Sequence, residues 1–287
     1  MSTSASTETR AAIKVLPDLL INQIAAGEVV ERPASALKEL LENSLDAGAS
    51  RVDVELMAGG IKRLRVADDG WGIAFEELPL AVARHATSKI AVPEDLARVV
   101  SMGFRGEALA SLASISRLSL ISRQRGAGHA GRIDVAGAEA SEAEPAALAS
   151  GTVVTADELF FNTPARRKFL KSESTEFGHC EDVVHRIALG APGVAFTLAH
   201  NGRRIFQVEP HDALSRARAV LGEAFAEAAV DIAADSAPFS IHGWAALPRY
   251  TRATRDQQFV FVNGRFVRDK LVSHAVRAAY ADVLHGE

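Results

Sequence analysis

The sequence predicts an α+β protein, on three observations. Alternating apolar and polar residues come in consecutive runs instead of strict strand–helix alternation. Two long segments carry apolar residues at helical spacing, and Gly-Gly and Asn-Gly pairs punctuate the alternating runs. With 287 residues, 48% hydrophobic and 24% charged, the chain can bury a sizeable core in one or two domains.

The opening "MSTSASTETRAAIK" lacks an apolar signal core and reads as a flexible tail. "RPASALKELLENSLDAGAS" predicts a helix: Pro33 suits its first turn, Leu37, Leu40, Leu41 and Leu45 share a face, and Gly48 is set to end it. "RVDVELM" and "IKRLRVAD" predict a strand pair joined at Gly59-Gly60, and the second runs into the loop "DDGWG". Short helical patterns broken by Pro79 and Pro93 follow, and "SMGFRGEALASLASI" leads a glycine loop into a helix near Gly106. "RLSLISRQ", "GRIDVAG" and "GTVVTADELF" predict further strands, the last two separated by the Ala/Glu-rich, weakly patterned stretch 138–150. "NTPARRKFLKSESTEFGHCEDVVHRIALG" predicts two helices, the first capped by Asn162 or Thr163 with Pro164 at its start. After Pro192, hairpins are expected at Asn201-Gly202 and Asn263-Gly264, with a long helix after the second. The expected division is a tail over 1–12, a first domain over 13–205 and a smaller second domain over 206–287.

A net charge of -4 and a pI near 6.2 argue against a protein that coats nucleic acid through bulk positive charge, so any such contact is regional. The single cysteine, Cys180, makes no internal disulfide and reads as a small buried apolar residue. No Cys/His cluster has zinc spacing and no run reaches membrane length; a cytoplasmic protein is expected. A regional cationic face does exist. From Arg249 to Arg277 seven cationic side chains stand against Asp256 and Asp269, a local excess of five. It reads either as a solvated exterior or as a surface for phosphate backbones.

Three stretches carry chemistry. On the first helix Glu39 and Asn43 sit one turn apart with Glu42 and Asp46 alongside, either a solvated acidic face or a working pair. An amide oxygen ligates a hard cation without adding charge, and a carboxylate one turn away can activate water. "DDGWG" is either a tight turn or a loop that offers a carboxylate to an exocyclic amine and lets backbone approach a flat ligand. "GFRGEAL" aims helix N–H groups at an anion or is simply a capped helix, and Thr87, Ser88 and Lys89 of "HATSKI" suit phosphate oxygens. No Gly-Lys dipeptide occurs, which excludes a P-loop.

Taken in order, "NQIAAGEVVERPASALKELLENSLDAGA", "DDGWGI", "RHATSKI", "GFRGEALAS", "GTVV" and "FFNTPARRKFL" resemble the MutL family of DNA mismatch repair proteins, within the GHKL ATPases. The resemblance covers nearly the whole chain from Ile13, including "VNGRFVRDKLVSHAVR". It implies a GHKL (Bergerat) α/β sandwich followed by a smaller α/β domain of ribosomal-protein-S5-like type. By position, it implies that Glu39 is the general base for water attack on ATP and that Asn43 holds Mg2+. Asp68 would accept from the adenine amine with Thr152 supporting it through water, and Gly72 would make room for the base. Thr87, Ser88, Lys89 and the run Gly103, Phe104, Arg105, Gly106, Glu107, Ala108, Leu109 would wrap the phosphates as a lid. Arg265, Arg268 and Lys270 would contact DNA without sequence preference, whereas Arg166, Arg167 and Lys168 would fix a helix or domain interface.

The resemblance further implies a homodimer on ATP binding, with Ile13 to Ala26 in its arm, and as partners a mismatch-sensor protein and a downstream nuclease and helicase in a bacterial cytoplasm, at the nucleoid during repair. The family also carries a lysine in a "HPAK"-like segment that reaches the γ-phosphate, and the sequence ends at Glu287 before one. Weak turnover is therefore expected, with a non-hydrolysing, nucleotide-gated binding module as the second reading. A topoisomerase subunit or a histidine kinase fits less well, the latter for want of a recognisable phosphoacceptor domain.

Overall fold

A computed structural model describes residues 15, 30–87, 89, 106–137, 139–250 and 258–281. The first helix, α1 (Pro33–Asp46), starts where Pro33 needs no amide partner and ends before Gly48, which takes φ +68°. Its buried face is Ala36, Leu37, Leu40, Leu41 and Ser44. Strands β1 (Arg51–Met57) and β2 (Arg63–Asp68) pair antiparallel around a 3-10 turn at Ala58–Gly60, as the alternation and Gly59-Gly60 predict. A short helix α2 (Leu78–Ala81) and helix α3 (Ala108–Ile115) lead to β3 (Arg117–Arg123) and β4 (Ala130–Ala136).

The stretch 138–150, weakly patterned in sequence, holds two short strands, β5 (Glu139–Ala140) and β6 (Glu144–Ala146), both paired with β4. Strand β7 (Gly151–Asp157) runs between β3 and β2. Helix α4 (Pro164–Arg167) follows Thr163, whose side chain makes no cap; Asn162 instead donates its amide to the Ser114 carbonyl at 2.8 Å. Helix α5 (Glu173–Gly190) is capped by Ser172, and β8 (Ala195–His200) and β9 (Arg203–Val208) turn at Asn201-Gly202, both at positive φ as the hairpin requires.

These strands form one nine-stranded sheet in the order β5-β4-β3-β7-β2-β1-β8-β9, with β6 also on β4. All pairs are antiparallel except β1 with β8. One face is apolar and carries α1, α3 and α5 over Val52, Val54, Leu64, Leu120 and Phe196. The other is a polar lattice, with Arg65 on Glu55 at 3.0 Å and Arg63 on Asp157 at 2.7 Å. The class is thus α+β with a two-layer sandwich, as expected. Because β9 belongs to this sheet and runs to Val208, the expected division at 205/206 falls inside a strand, and the first sheet closes three residues later.

Beyond it come α6 (Ala213–Leu221), α7 (Glu223–Ala228), the hairpin β10 (Ala229–Ser236) with β11 (Phe239–Ala246), the hairpin β12 (Val260–Val262) with β13 (Arg265–Val267), and α8 (Lys270–Tyr280). The second hairpin rests on the end of α5: a Cβ on Gly190 would lie 2.9 Å from Phe261 and 3.1 Å from the Gly264 carbonyl. Among the described residues no helix is long and apolar enough to cross a membrane.

Candidate functional site

The site begins where α1 lies across the end of β2. Ser44 is buried on the helix's sheet-facing side, and its hydroxyl donates to the Asp68 carboxylate at 2.9 Å, with the Leu40 carbonyl at 3.2 Å. Asp68 also accepts from the Gly70 amide at 3.0 Å and from the backbone amide of Thr152. Burial pushes the Asp68 carboxyl above its ordinary range, and these donors pull only part of the way back. Its neighbour behaves oppositely. Asp69 accepts from the Ser50 hydroxyl and from the Ser50 and Arg51 amides at 2.7 and 2.9 Å; burial pushes its carboxyl up, but the donors outweigh it and hold it below the usual range. Of two adjacent acids, one is a dehydrated acceptor and the other a tie between the loop and β1.

Thr152 is buried, and its hydroxyl pairs with Ser122 at 2.8 Å, while Ser122 accepts from the Ile73 amide at 2.8 Å. Sequence reasoning missed Ser44 and Ser122, since a serine among leucines or in an alternating strand carries no signal of its own. Gly151, at φ +75°, lets β7 approach so closely that a Cβ would lie 1.9 Å from the Asp68 carbonyl. Gly72, at φ +71°, is glycine for a similar reason: a Cβ there would meet the Arg123 carbonyl at 2.1 Å, so its bareness serves the packing of the loop on β3.

On the outer side of α1, Glu39, Glu42, Asn43 and Asp46 are all half-buried. Lys38 bridges Glu39 at 3.5 Å and Glu42 at 2.8 Å. Burial pushes Glu42 up, against the opposing pull of Lys38 and the weaker one of Arg265. The Asn43 Oδ1 accepts from the Lys89 ammonium at 2.9 Å, so this amide oxygen is turned toward a cation, the orientation a hard metal ion would use. Lys89 also donates to Asp46 at 2.5 Å, and its amide donates to the Thr87 hydroxyl at 3.2 Å. Gly106 packs on this segment: a Cβ would lie 2.4 Å from the Ala86 carbonyl and 3.0 Å from Thr87. It precedes Glu107, Ala108 and Leu109, where α3 begins without a side-chain cap on its amides. Ser88, Gly103, Phe104 and Arg105 lie outside the described residues.

Of the three arginine-face residues expected at DNA, Arg268 and Lys270 are exposed, whereas Arg265 is half-buried and its charge reaches Glu42 on α1. Arg167 and Lys168 are exposed. Cys180 is buried, its thiol pushed up to about 12 by burial and Glu176. Two open depressions of about 520 and 530 Å³ lie elsewhere, one on the polar sheet face between Arg117, Arg132, Asp134 and Asp157, the other between Lys62, Phe161, Arg167 and Lys171. Neither touches Glu39, Asn43 or Asp68.

The chain resembles known proteins in sequence and in fold. Residues 31–156 match the family model described as histidine kinase-, DNA gyrase B- and HSP90-like ATPase, and residues 217–287 match that of the DNA mismatch repair protein C-terminal domain. The chain is 57% identical over 273 residues to the DNA mismatch repair protein MutL of Thiobacillus denitrificans and 56% identical over 278 residues to that of Pseudomonas paraeruginosa. It is covered over 95% in each case but spans only 46% and 44% of those relatives, less than half their length. Among solved structures, the Aquifex aeolicus MutL ATPase domain complexed with ADP is 30% identical with a TM-score of 0.66, over 87% of this chain and 88% of that one. The N-terminal domain of a DNA repair protein matches with a TM-score of 0.77 at 25% identity, over 93% and 84%. The Aquifex aeolicus MutL ATPase domain, 30% identical and matched over 88% of its own length with the same fold, carries the assignment: the chain belongs to the MutL family of DNA mismatch repair proteins.

Proposed function

We propose that this chain is the nucleotide-driven part of a mismatch repair matchmaker, binding ATP with Mg2+ and hydrolysing it slowly to time its association with a second copy and with other repair proteins. The observation that carries the reading is one turn of α1. Ser44 faces inward and steadies the half-buried Asp68 carboxyl, an acceptor suited to an exocyclic amine. Its neighbour Asn43 faces outward with its oxygen toward a cation.

In this reading Asp68 accepts from the adenine amine, assisted by Thr152. Asn43 holds the metal, which when bound neutralises phosphate charge and fixes the triphosphate. Glu39, one turn before Asn43, orients the attacking water and takes its proton; Lys38 at 3.5 Å keeps a cation beside the carboxylate. Thr87, Ser88, Lys89 and the backbone from Gly103 to Leu109 receive the phosphates, and the uncapped amides of α3 suit that task. Arg268 and Lys270 supply the exposed cations for sequence-independent DNA contact, joined by the half-buried Arg265. The division of labour is a nucleotide-binding domain through Val208 and a smaller second domain after it. The partners are a second copy, DNA, a mismatch sensor and the downstream nuclease and helicase, in a bacterial cytoplasm.

The test separates binding from turnover. Glu39→Ala retains a non-hydrolysable ATP analogue with Mg2+ within a few-fold of wild type, while single-turnover hydrolysis falls by about 10²-fold or more. Undiminished hydrolysis removes Glu39 from the role, and no analogue binding by the wild type removes the reading itself.

A further inference from the structure

Asp46 is used by none of the steps above, and it stands where an acid helps its own helix least. It is the last residue of α1, at the negative end of the helix dipole, and no basic residue occupies the final turn. Asp46 lies three residues after Asn43, so the two side chains share a face. Lys89 spans them, its ammonium 2.9 Å from Asn43 Oδ1 and 2.5 Å from Asp46 Oδ2. The pair is sheltered, with side-chain exposures of 21% for Lys89 and 11% for Asp46.

We propose that Asp46 is the resting acceptor for Lys89: without nucleotide it holds the ammonium over Asn43, and Lys89 must leave this position for a divalent cation to use the Asn43 oxygen. This rests on the nucleotide reading above. An ammonium and a divalent ion do not share one amide oxygen favourably, because their repulsion is only weakly screened in a half-buried site. The exchange is balanced in charge. Incoming phosphates would offer Lys89 new acceptors, and Asp46 would keep a cation nearby in the divalent ion that Asn43 would hold. Asp46 thereby sets how much nucleotide and metal binding must spend on breaking an existing ion pair, a tax on affinity that scales with the strength of that pair.

A double-mutant cycle tests this by calorimetric titration of a non-hydrolysable ATP analogue with Mg2+. Asp46→Asn keeps the shape and weakens the hold on Lys89, and binding tightens about 3- to 10-fold. In a Lys89→Met background the same change gains nothing. A gain that persists without Lys89 reflects only the removal of a negative charge near the phosphates and overturns the proposal, as does unchanged or weaker binding by Asp46→Asn. No binding by wild type overturns the nucleotide reading instead. A measurement on the unaltered protein needs no variant. Acetylation of Lys89 in the nucleotide-free protein, read by mass spectrometry against exposed Lys168, runs several-fold slower and stays slow with Mg2+ and the analogue, where phosphates take over as acceptors; a Lys89 rate equal to that of Lys168 in the nucleotide-free protein overturns the proposal.

Discussion

Asp68 and Asp69 are chemically identical and adjacent, yet the fold drives their carboxyl groups in opposite directions. Because folded Asp68 titrates above an unfolded aspartate, the folded state holds this proton more tightly, and stability is lost as pH rises through the folded value. Asp68→Asn removes that cost. Its thermal stability at neutral pH equals or exceeds wild type, the advantage shrinks as pH falls below the folded value and is gone below that of an unfolded aspartate, and adenine nucleotide affinity drops about 10- to 100-fold with the charge-assisted acceptor gone. A variant that melts earlier at neutral pH and still binds nucleotide contradicts both halves of that assignment. For wild type, binding weakens on acidification at a pH above the ordinary aspartate range. Ser44→Ala, which removes a donor to the ionised form, moves that limb higher still. The pattern "DDG" made the loop legible from sequence but not the difference between its two acids, since that depends on which one β7 and Ser44 enclose.

At the scale of elements, helix α1 and the strands with clean alternation were legible because a single periodicity decides which side is buried. Strands β5 and β6 were not: two and three residues long, they exist only because β4 offers them an edge. Helix α6 hid a larger feature. Arg216 reads in sequence as one more cation on an amphipathic segment. In the structure it is fully buried, and its guanidinium donates to the carbonyls of Ala188, Ala191, Pro192, Val194 and Glu209 at 2.7 to 3.3 Å. It thus ties together the end of α5, the entry to β8 and the exit from β9, and no sequence period reports a set of partners that only the tertiary fold assembles. Arg216→Met leaves those carbonyls without donors in a buried place and costs roughly 3 kcal/mol or more in chemical denaturation. Arg216→Lys recovers only part, because three donors on one nitrogen cannot span five acceptors. A loss under about 1 kcal/mol for Arg216→Met means that water reaches these carbonyls.

Across the whole molecule, an acidic chain carries its cationic excess on the side that begins with the second hairpin, and this hairpin is seated on α5, the helix packed along α1. The sequence made the cluster legible but treated Arg265, Arg268 and Lys270 as equals. The fold divides them: Arg268 and Lys270 are exposed at the end of β13 and the start of α8, while Arg265 is half-buried with its charge felt by Glu42 on α1. Their substitutions should therefore differ in kind. Arg268→Glu with Lys270→Glu weakens duplex DNA binding and lowers the slope of log affinity against log salt by about 2, one released counterion per lost contact, with nucleotide affinity unchanged. Arg265→Glu weakens DNA binding too, but it also sets a second carboxylate near Glu42, pushing that acid further up and loosening the Lys38 bridge beside Glu39, so hydrolysis changes along with DNA binding. Filter binding across a salt series and single-turnover hydrolysis, run on the same preparations, distinguish the two classes. If Arg265→Glu alters DNA binding alone, the charge contact between the second hairpin and α1 carries no communication between the two surfaces.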